Sequence, residues 1–158
     1  MTLLQEKPVS KITVKEVCGW AEINRGTFYK HYRDCFDLLE QIEEEALAQL
    51  DQSLQNIDSK GFHAVLMSIL NTIQTREELF RALSTKQMDQ SFINRLVERC
   101  FQYMAPIEGQ MMRCAFLASG CGGVIGFWLH TGLQESPKTV AAAIESFVAD
   151  QGLSKLKP

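Results

Sequence analysis

Apolar residues recur at helical spacing along nearly the whole chain, and short polar breaks cut the pattern into segments. Phe62, Val65, Leu66, Ile69, Leu70 and Ile73 share one helix face. Phe92, Leu96, Val97, Cys100, Phe101 and Met104 share another, stopped near Pro106. Val, Ile and Thr never alternate with polar residues at period two, so the pattern predicts no sheet and an all-α fold. No internal repeat or low-complexity tract interrupts it.

Capping residues set the boundaries. Thr2–Glu6 reads as the end of a first helix, broken by Lys7-Pro8-Val9-Ser10. Thr13-x-x-Glu16 is a capping box with Ile12 placed to staple onto Val17, so a helix runs from Val14 to about Trp20. Glu22-Ile23-Asn24 is a turn, and Asn24 caps a short helix, Arg25–His31. Asp34 caps a long helix reaching Asn56, followed by an Asp58-Ser59-Lys60-Gly61 linker. Further helices cover Glu77–Leu83 and residues 109–131, the latter ended by Gly132. Ser136-Pro137 opens a last helix that reaches Ala149, with Gly152 beyond it.

Two short helices joined by a tight turn and flanked by a third make a helix-turn-helix, whose second helix enters a DNA major groove. Val14, Val17, Cys18, Ala21, Ile23 and Phe28 are the candidates for holding the crossing, leaving the polar positions outward. Charge adds to this picture. Residues 1–33 carry +3 and the remainder −6, within a net charge of −3. A basic head on an acidic body fits a protein that meets a polyanion at one end only. A composition of 46% hydrophobic and 22% charged residues excludes wholesale disorder.

The head resembles the TetR family of bacterial transcriptional regulators. The residues that carry this are Ile12-Thr13-Val14-Lys15-Glu16-Val17, then Ile23-Asn24-Arg25-Gly26-Thr27-Phe28-Tyr29-Lys30-His31-Tyr32, then Leu38-Leu39. Gly126-Phe127-Trp128-Leu129-x-x-Gly132-Leu133-x-Glu135-Ser136-Pro137 is similar to the C-terminal domain of a TetR subgroup common in Firmicutes. The resemblance implies a DNA-binding domain over 1–45, with a shortened helix 1, and a regulatory and dimerisation domain over 46–158. It also implies a cytoplasmic homodimer that reads a palindromic operator in double-stranded DNA, under control of a small-molecule effector or partner protein. The implied DNA contacts are Thr13, Arg25, Gly26, Thr27, Tyr29, Lys30, His31 and Tyr32. Hydroxyls and cations suit phosphates, Gly26 lets the helix come close, and Thr13 sits at a helix N-terminus where N–H groups face an anion. Phe28 reads as core. Three departures weaken the implied DNA contact: the short first helix, Glu22 in place of the turn glycine, and Cys35 in place of a lysine. They favour a rival reading, a TetR-like homodimer that has lost operator binding and acts through a protein partner. The intact Gly26–Tyr32 stretch favours the regulator.

In the body the resemblance implies that the last two helices pair with their twofold mates. Ala118, Gly122, Gly123 and Gly126 form a small-residue groove for close helix approach, and Val140, Ile144 and Phe147 form the stripe of the last helix. An effector pocket would draw on Phe62, Met67, Leu70, Phe92, Tyr103, Met104 and Trp128, residue types that also make ordinary core. The run Glu43-Glu44-Glu45 reads as a solvated helix face.

The remaining chemistry is sparse. Five cysteines without a Cys-x-x-Cys pair, and no secretory leader, fit free thiols in a reducing compartment. A thiol sensor on Cys35, Cys100, Cys114 or Cys121 would need nearby cations. Residues 114–134 lack charge, but His130, Gln134 and five glycines dilute the segment, so it reads as a buried helix and no membrane contact is expected. His31, His63 and His130 lie far apart, and no nucleophile elbow, P-loop or dinucleotide fingerprint occurs. The sequence therefore predicts no enzyme, no catalytic residues, no cofactor and no metal site.

Overall fold

Every helix leaves the N–H groups of its first turn without intrahelical partners, and four helices of this chain begin at a side chain that accepts from them. The computed structural model describes residues 2–55, 57–83, 91–104 and 111–150. Its order is α1 (Thr2–Glu6), a 3-10 turn (Val9–Lys11), α2 (Val14–Trp20), α3 (Arg25–His31), α4 (Cys35–Leu54), α5 (Ile57–Thr75), α6 (Glu77–Leu83), α7 (Ser91–Met104), α8 (Met111–His130) and α9 (Pro137–Asp150). The fold is all-α, with no strand among the described residues. Thr13, Asn24 and Asp34 cap α2, α3 and α4 as the sequence predicts, and the Ser136 hydroxyl accepts the Thr139 N–H at the start of α9. The expected break at 58–61 narrows to one residue: residues 57–60 are helical, and Gly61, at φ 78° and ψ 162°, leaves helical geometry and separates them from the helix that follows within α5. Pro106 and Gly152, expected to end helices, lie outside the described residues.

α2 and α8 end alike. After α8, Gly132 adopts φ 82°, its N–H donates to the Leu129 carbonyl, and the Leu133 N–H reaches back to Trp128. This is the bond pattern of a Schellman turn. The Trp128 indole N–H fastens the following loop through the Glu135 carbonyl, at 2.8 Å. After α2 the left-handed position is Glu22, with φ 53°, and the Ile23 N–H reaches back to Cys18. The turn keeps its left-handed form although the residue there is not glycine.

The body has one continuous core. Ala46, Leu47, Leu50 and Leu54 of α4 meet Val65, Ile69, Leu70 and Ile73 of α5, Phe80 of α6, Phe92 and Leu96 of α7, Trp128 and Leu129 of α8, and Ile144 of α9. Leu4 of α1 joins this core, and α1 packs on α6, so the first helix bridges head and body. α4 runs unbroken through the boundary expected at 45/46.

An ion-pair cluster ties α4 to α7. Arg95 donates to Glu43 at 2.8 Å and to Glu44 at 2.6 Å, and Arg99 donates to Glu44 and Asp51. The expectation of a solvated 43–45 face therefore fails at Glu43, which is 5% exposed. A buried carboxylate persists because a guanidinium reaches it. Burial raises the Glu43 pKa and Arg95 opposes that rise, whereas hydrogen bonding from Arg99 lowers the pKa of Glu44.

Candidate nucleic-acid interface

The recognition helix starts from a local device. Asn24 Oδ1 accepts the Thr27 N–H at 2.8 Å and the Thr27 hydroxyl at 3.3 Å. A Cβ on Gly26 would press on that same oxygen at 3.1 Å, so glycine here serves the cap as well as any approach to DNA. One residue anchors the helix: Phe28 is 1% exposed, with the Tyr29 ring edge-on at 5.5 Å and the Tyr32 ring at 5.4 Å. Anchoring through a single inward aromatic leaves the remaining faces in solvent. Arg25, Gly26, Lys30 and His31 are exposed, Tyr29 is 58% exposed, and Thr27 and Tyr32 are half-buried.

Of the residues expected to hold α2 against α3, Cys18 and Phe28 are buried and Val14 and Val17 half-buried. Ala21 and Ile23 are corrections: both are exposed, flanking the left-handed Glu22 at the turn that follows α2.

Thr13 is exposed at the start of α2, but its donors are engaged. Its N–H donates to Glu16 Oε2 at 2.9 Å and its hydroxyl to the same oxygen at 2.8 Å. Lys7 Nζ reaches the other carboxylate oxygen at 2.5 Å. The hydrogen bond from Lys7, followed by those from Thr13, lowers the Glu16 pKa from 4.5 to about 2. The donors of Thr13 itself are thus turned to a carboxylate of the protein. Arg33 is likewise engaged, by Asp37, while Asp34 accepts the Phe36 and Asp37 N–H groups. Lys11, Lys15, Arg25 and Lys30 have no carboxylate partner among the described residues and are all exposed. Lys11 and Lys15 were missed as candidates; the signal for them was the head's positive charge.

In the body, five of the seven residues expected at a dimer interface are engaged within the protomer. A Cβ on Gly122 would meet Val97 Cγ2 at 2.2 Å, and one on Gly126 would touch Ile93 at 3.6 Å, so α7 fills the small-residue groove. Ala118, Val140 and Ile144 are buried, and Phe147 is 63% exposed. The outward face of α8 carries Gly123, the one glycine of the expected groove left exposed, with Met112, Phe116, Gly120 and Phe127, which were not expected at an interface. α8 is long and apolar enough to cross a membrane, yet its opposite face packs into the core through Leu117, Ile125, Trp128 and Leu129. Of the expected effector residues, Leu70, Phe92 and Trp128 are buried core, and Phe62, Met67 and Tyr103 pack half-buried around it. The Met104 side chain lies outside the described residues. No disulfide joins the cysteines, and burial pushes Cys100 up to about 12 and Cys121 up to about 11, away from thiolate reactivity. No group of His, Cys, Asp and Glu that could hold a metal occurs among the described residues.

A capped, exposed helix set on a second short helix, above an all-helical body, defines a helix-turn-helix protein of the transcription-regulator class. The family model for the TetR-type "Transcriptional regulator C-terminal region" matches residues 61–150. The match covers more than half of the chain, and the chain belongs to the TetR family of transcriptional regulators. It is also similar to the "Uncharacterized HTH-type transcriptional regulator YxbF" of Bacillus subtilis (strain 168), at 21% identity over 164 residues. That alignment covers 96% of this chain and 43% of the relative, so the chain spans less than half of the relative's length.

Proposed function

We propose that this regulator reads a palindromic operator as a homodimer, with α3 of each subunit in the major groove. The observation that carries this reading is the face of α3: Arg25, Tyr29, Lys30 and His31 are exposed together on a helix held from behind by Phe28. Arg25 and Lys30 neutralise phosphates, Tyr29 and Tyr32 donate phenol hydrogen bonds to the backbone, and Thr27 faces the base edges.

The twofold partner packs on the outward face of α8. Met112 is 85% exposed, Phe116 64%, Phe127 70% and, on α9, Phe147 63%. So much exposed aromatic surface on adjoining helices marks an interaction face, and Gly120 and Gly123 let a second backbone approach. Replacing Phe127 with Asp should give monomers in sedimentation velocity. A protein that remains dimeric would move the interface elsewhere. Effector control acts through α4, the helix shared by head and body, whose tilt the Arg95 and Arg99 ion pairs fix.

Anisotropy titration with the protein's own upstream DNA at two salt concentrations tests the DNA reading. A specific site should bind far more tightly than random duplex. Lys30→Ala should reduce the salt slope by about 1, one phosphate contact. If no site outcompetes random duplex, the reading fails. Exposed Trp20, Ile23 and Phe36 on the head favour the second reading, a TetR-like dimer acting through a protein partner; failure of the DNA titration together with a stable dimer would select it.

A further inference from the structure

A cavity lies at the seam of head and body, away from the residues that suggested an effector pocket. It measures about 320 Å³ and opens between α1, the 3-10 turn, α2 and the first half of α4. Leu4 closes it from α1, Val17 and Ala21 from α2, and Leu39 and Ile42 from α4, while Trp20, 65% exposed, stands at its mouth. None of its lining residues is charged; the polar side-chain atoms among them are the Cys35 thiol and the Trp20 indole nitrogen. Cys35 is buried, and burial raises its pKa, so the thiol stays neutral.

We propose that this cavity binds a small, uncharged, largely apolar molecule of about a dozen non-hydrogen atoms, given that a cavity of roughly 150 Å³ holds benzene. The walls select the class of occupant. A charged compound would lose its hydration with no counter-charge in the lining. An extended peptide would bury N–H and C=O groups where the walls offer them almost no partner. A helix, about 10 Å across with its side chains, exceeds the space. A flat apolar ring fits and gains the Trp20 face. The site also has leverage. Leu4 lines the cavity and joins the body core, and Val17 and the C-cap residue Ala21 lie on the helix α2 and at its end, beside α3. An occupant therefore sets the spacing between α1, α2 and α4. Its effect on DNA affinity rests on the reading above, whereas the binding does not.

Methyl NMR on the full chain, titrated with 2-naphthol and with 2-naphthoate, tests the proposal. 2-Naphthol should saturate in the micromolar range, with its largest shifts at the methyls of Val17, Leu39 and Ile42 and none at Leu70 or Leu96. 2-Naphthoate should bind at least tenfold more weakly. Ala21→Phe should fill the cavity and weaken 2-naphthol at least tenfold while helical circular dichroism is kept; should that variant not fold, Leu39→Phe fills the same space from the opposite wall. Absence of saturable shifts at those methyls, shifts centred on the body core or the outward face of α8, equal affinity for the naphthoate, or unchanged affinity in the filled, folded variants would each overturn it. The anisotropy titration is independent, so its failure leaves a positive methyl result standing.

Discussion

The same left-handed turn ends a helix in the body and a helix in the head, with different residues. In the body Gly132 takes φ 82° at no steric cost, and Leu133 beyond it, itself left-handed at φ 53°, is buried. In the head Glu22 takes φ 53°, and Ile23 beyond it remains 38% exposed. The contrast extends to everything around the two turns. The body closes a core shared by six helices, and its turns, kinks and glycines serve that closure. The head closes around Phe28, Cys18 and Cys35, is held mainly by caps, and leaves Trp20, Tyr29 and Phe36 in solvent beside an open cavity. A surface that must meet a partner cannot also be the surface that makes the core. The head therefore relies on local hydrogen bonds where the body relies on burial.

Side-chain truncation gives the largest expected effect. Leu70 has no exposed surface, and Leu70→Ala should cost about 3–4 kcal/mol. Val17, half-buried on the wall of the cavity, already faces empty space, and Val17→Ala should cost under about 1 kcal/mol. Urea unfolding with unchanged m-values measures both. Equal costs would mean that the head is packed as tightly as the body.

The glycines of α8 come next. Gly122→Ala drives a methyl into Val97; overpacking costs about 1–3 kcal/mol, of which helix propensity returns no more than about 1. Adding Val97→Ala should remove the penalty, a coupling that a double-mutant cycle reads directly. Gly123 has nothing within 4 Å, so Gly123→Ala should stabilise an isolated protomer by up to about 1 kcal/mol. A loss at Gly123 in dilute protein would show that the outward face is already occupied within the protomer.

These glycines also mark how far the sequence could be read. The caps at Thr13, Asn24, Asp34 and Ser136 were legible because each is a contact over two or three residues. The exposed face of α3 was legible because Phe28 is the one large side chain of that seven-residue helix without a polar atom, and it points inward. On α8 the pattern failed. A helix apolar on most sides does not say which face its own chain will cover, so Gly122 and Gly126 looked like the groove for a mate, while α7 was the neighbour. Glu43 was illegible for the same reason, its partner lying 52 residues away. The cavity is the extreme case, a space defined by side chains from four elements and signalled by none of them.

The Glu22 turn offers a smaller and more direct test. A non-glycine residue in the left-handed region costs about 1–2 kcal/mol relative to its preferred conformations, and glycine has no Cβ to pay it. Glu22→Gly should raise stability by about 1 kcal/mol, net of the entropy that glycine loses on folding. Thermal melting should show the gain. The corresponding change in the body, Gly132→Glu, should lose at least as much, since φ is positive at both sites and larger at Gly132, 82° against 53°. If both substitutions destabilise, the Glu22 side chain makes a contact that outweighs its backbone strain, and the head is better fitted than its exposure indicates.

The smallest effect lies in acid. Glu16 holds the start of α2 with both carboxylate oxygens, one on Thr13 and one on Lys7, and its pKa falls from 4.5 to about 2. A folded-state pKa below the unfolded one means that the contribution is complete above about pH 4.5 and is lost as pH falls toward 2. Glu44 on α4 shifts in the same direction through Arg99, so head and joint both weaken in acid and bulk unfolding cannot separate them. Glu16→Gln can: it keeps a side chain able to close the capping box and removes the titration. Wild type should lose more stability than this variant between pH 4.5 and 2, and the Glu16 side-chain NMR signal should titrate near 2. Because the group is in solvent, high salt should move that midpoint upward by screening Lys7. A midpoint at the ordinary carboxylate value in low salt would mean that the capping box is open in solution, leaving Asn24 and Asp34 as the caps that hold the head.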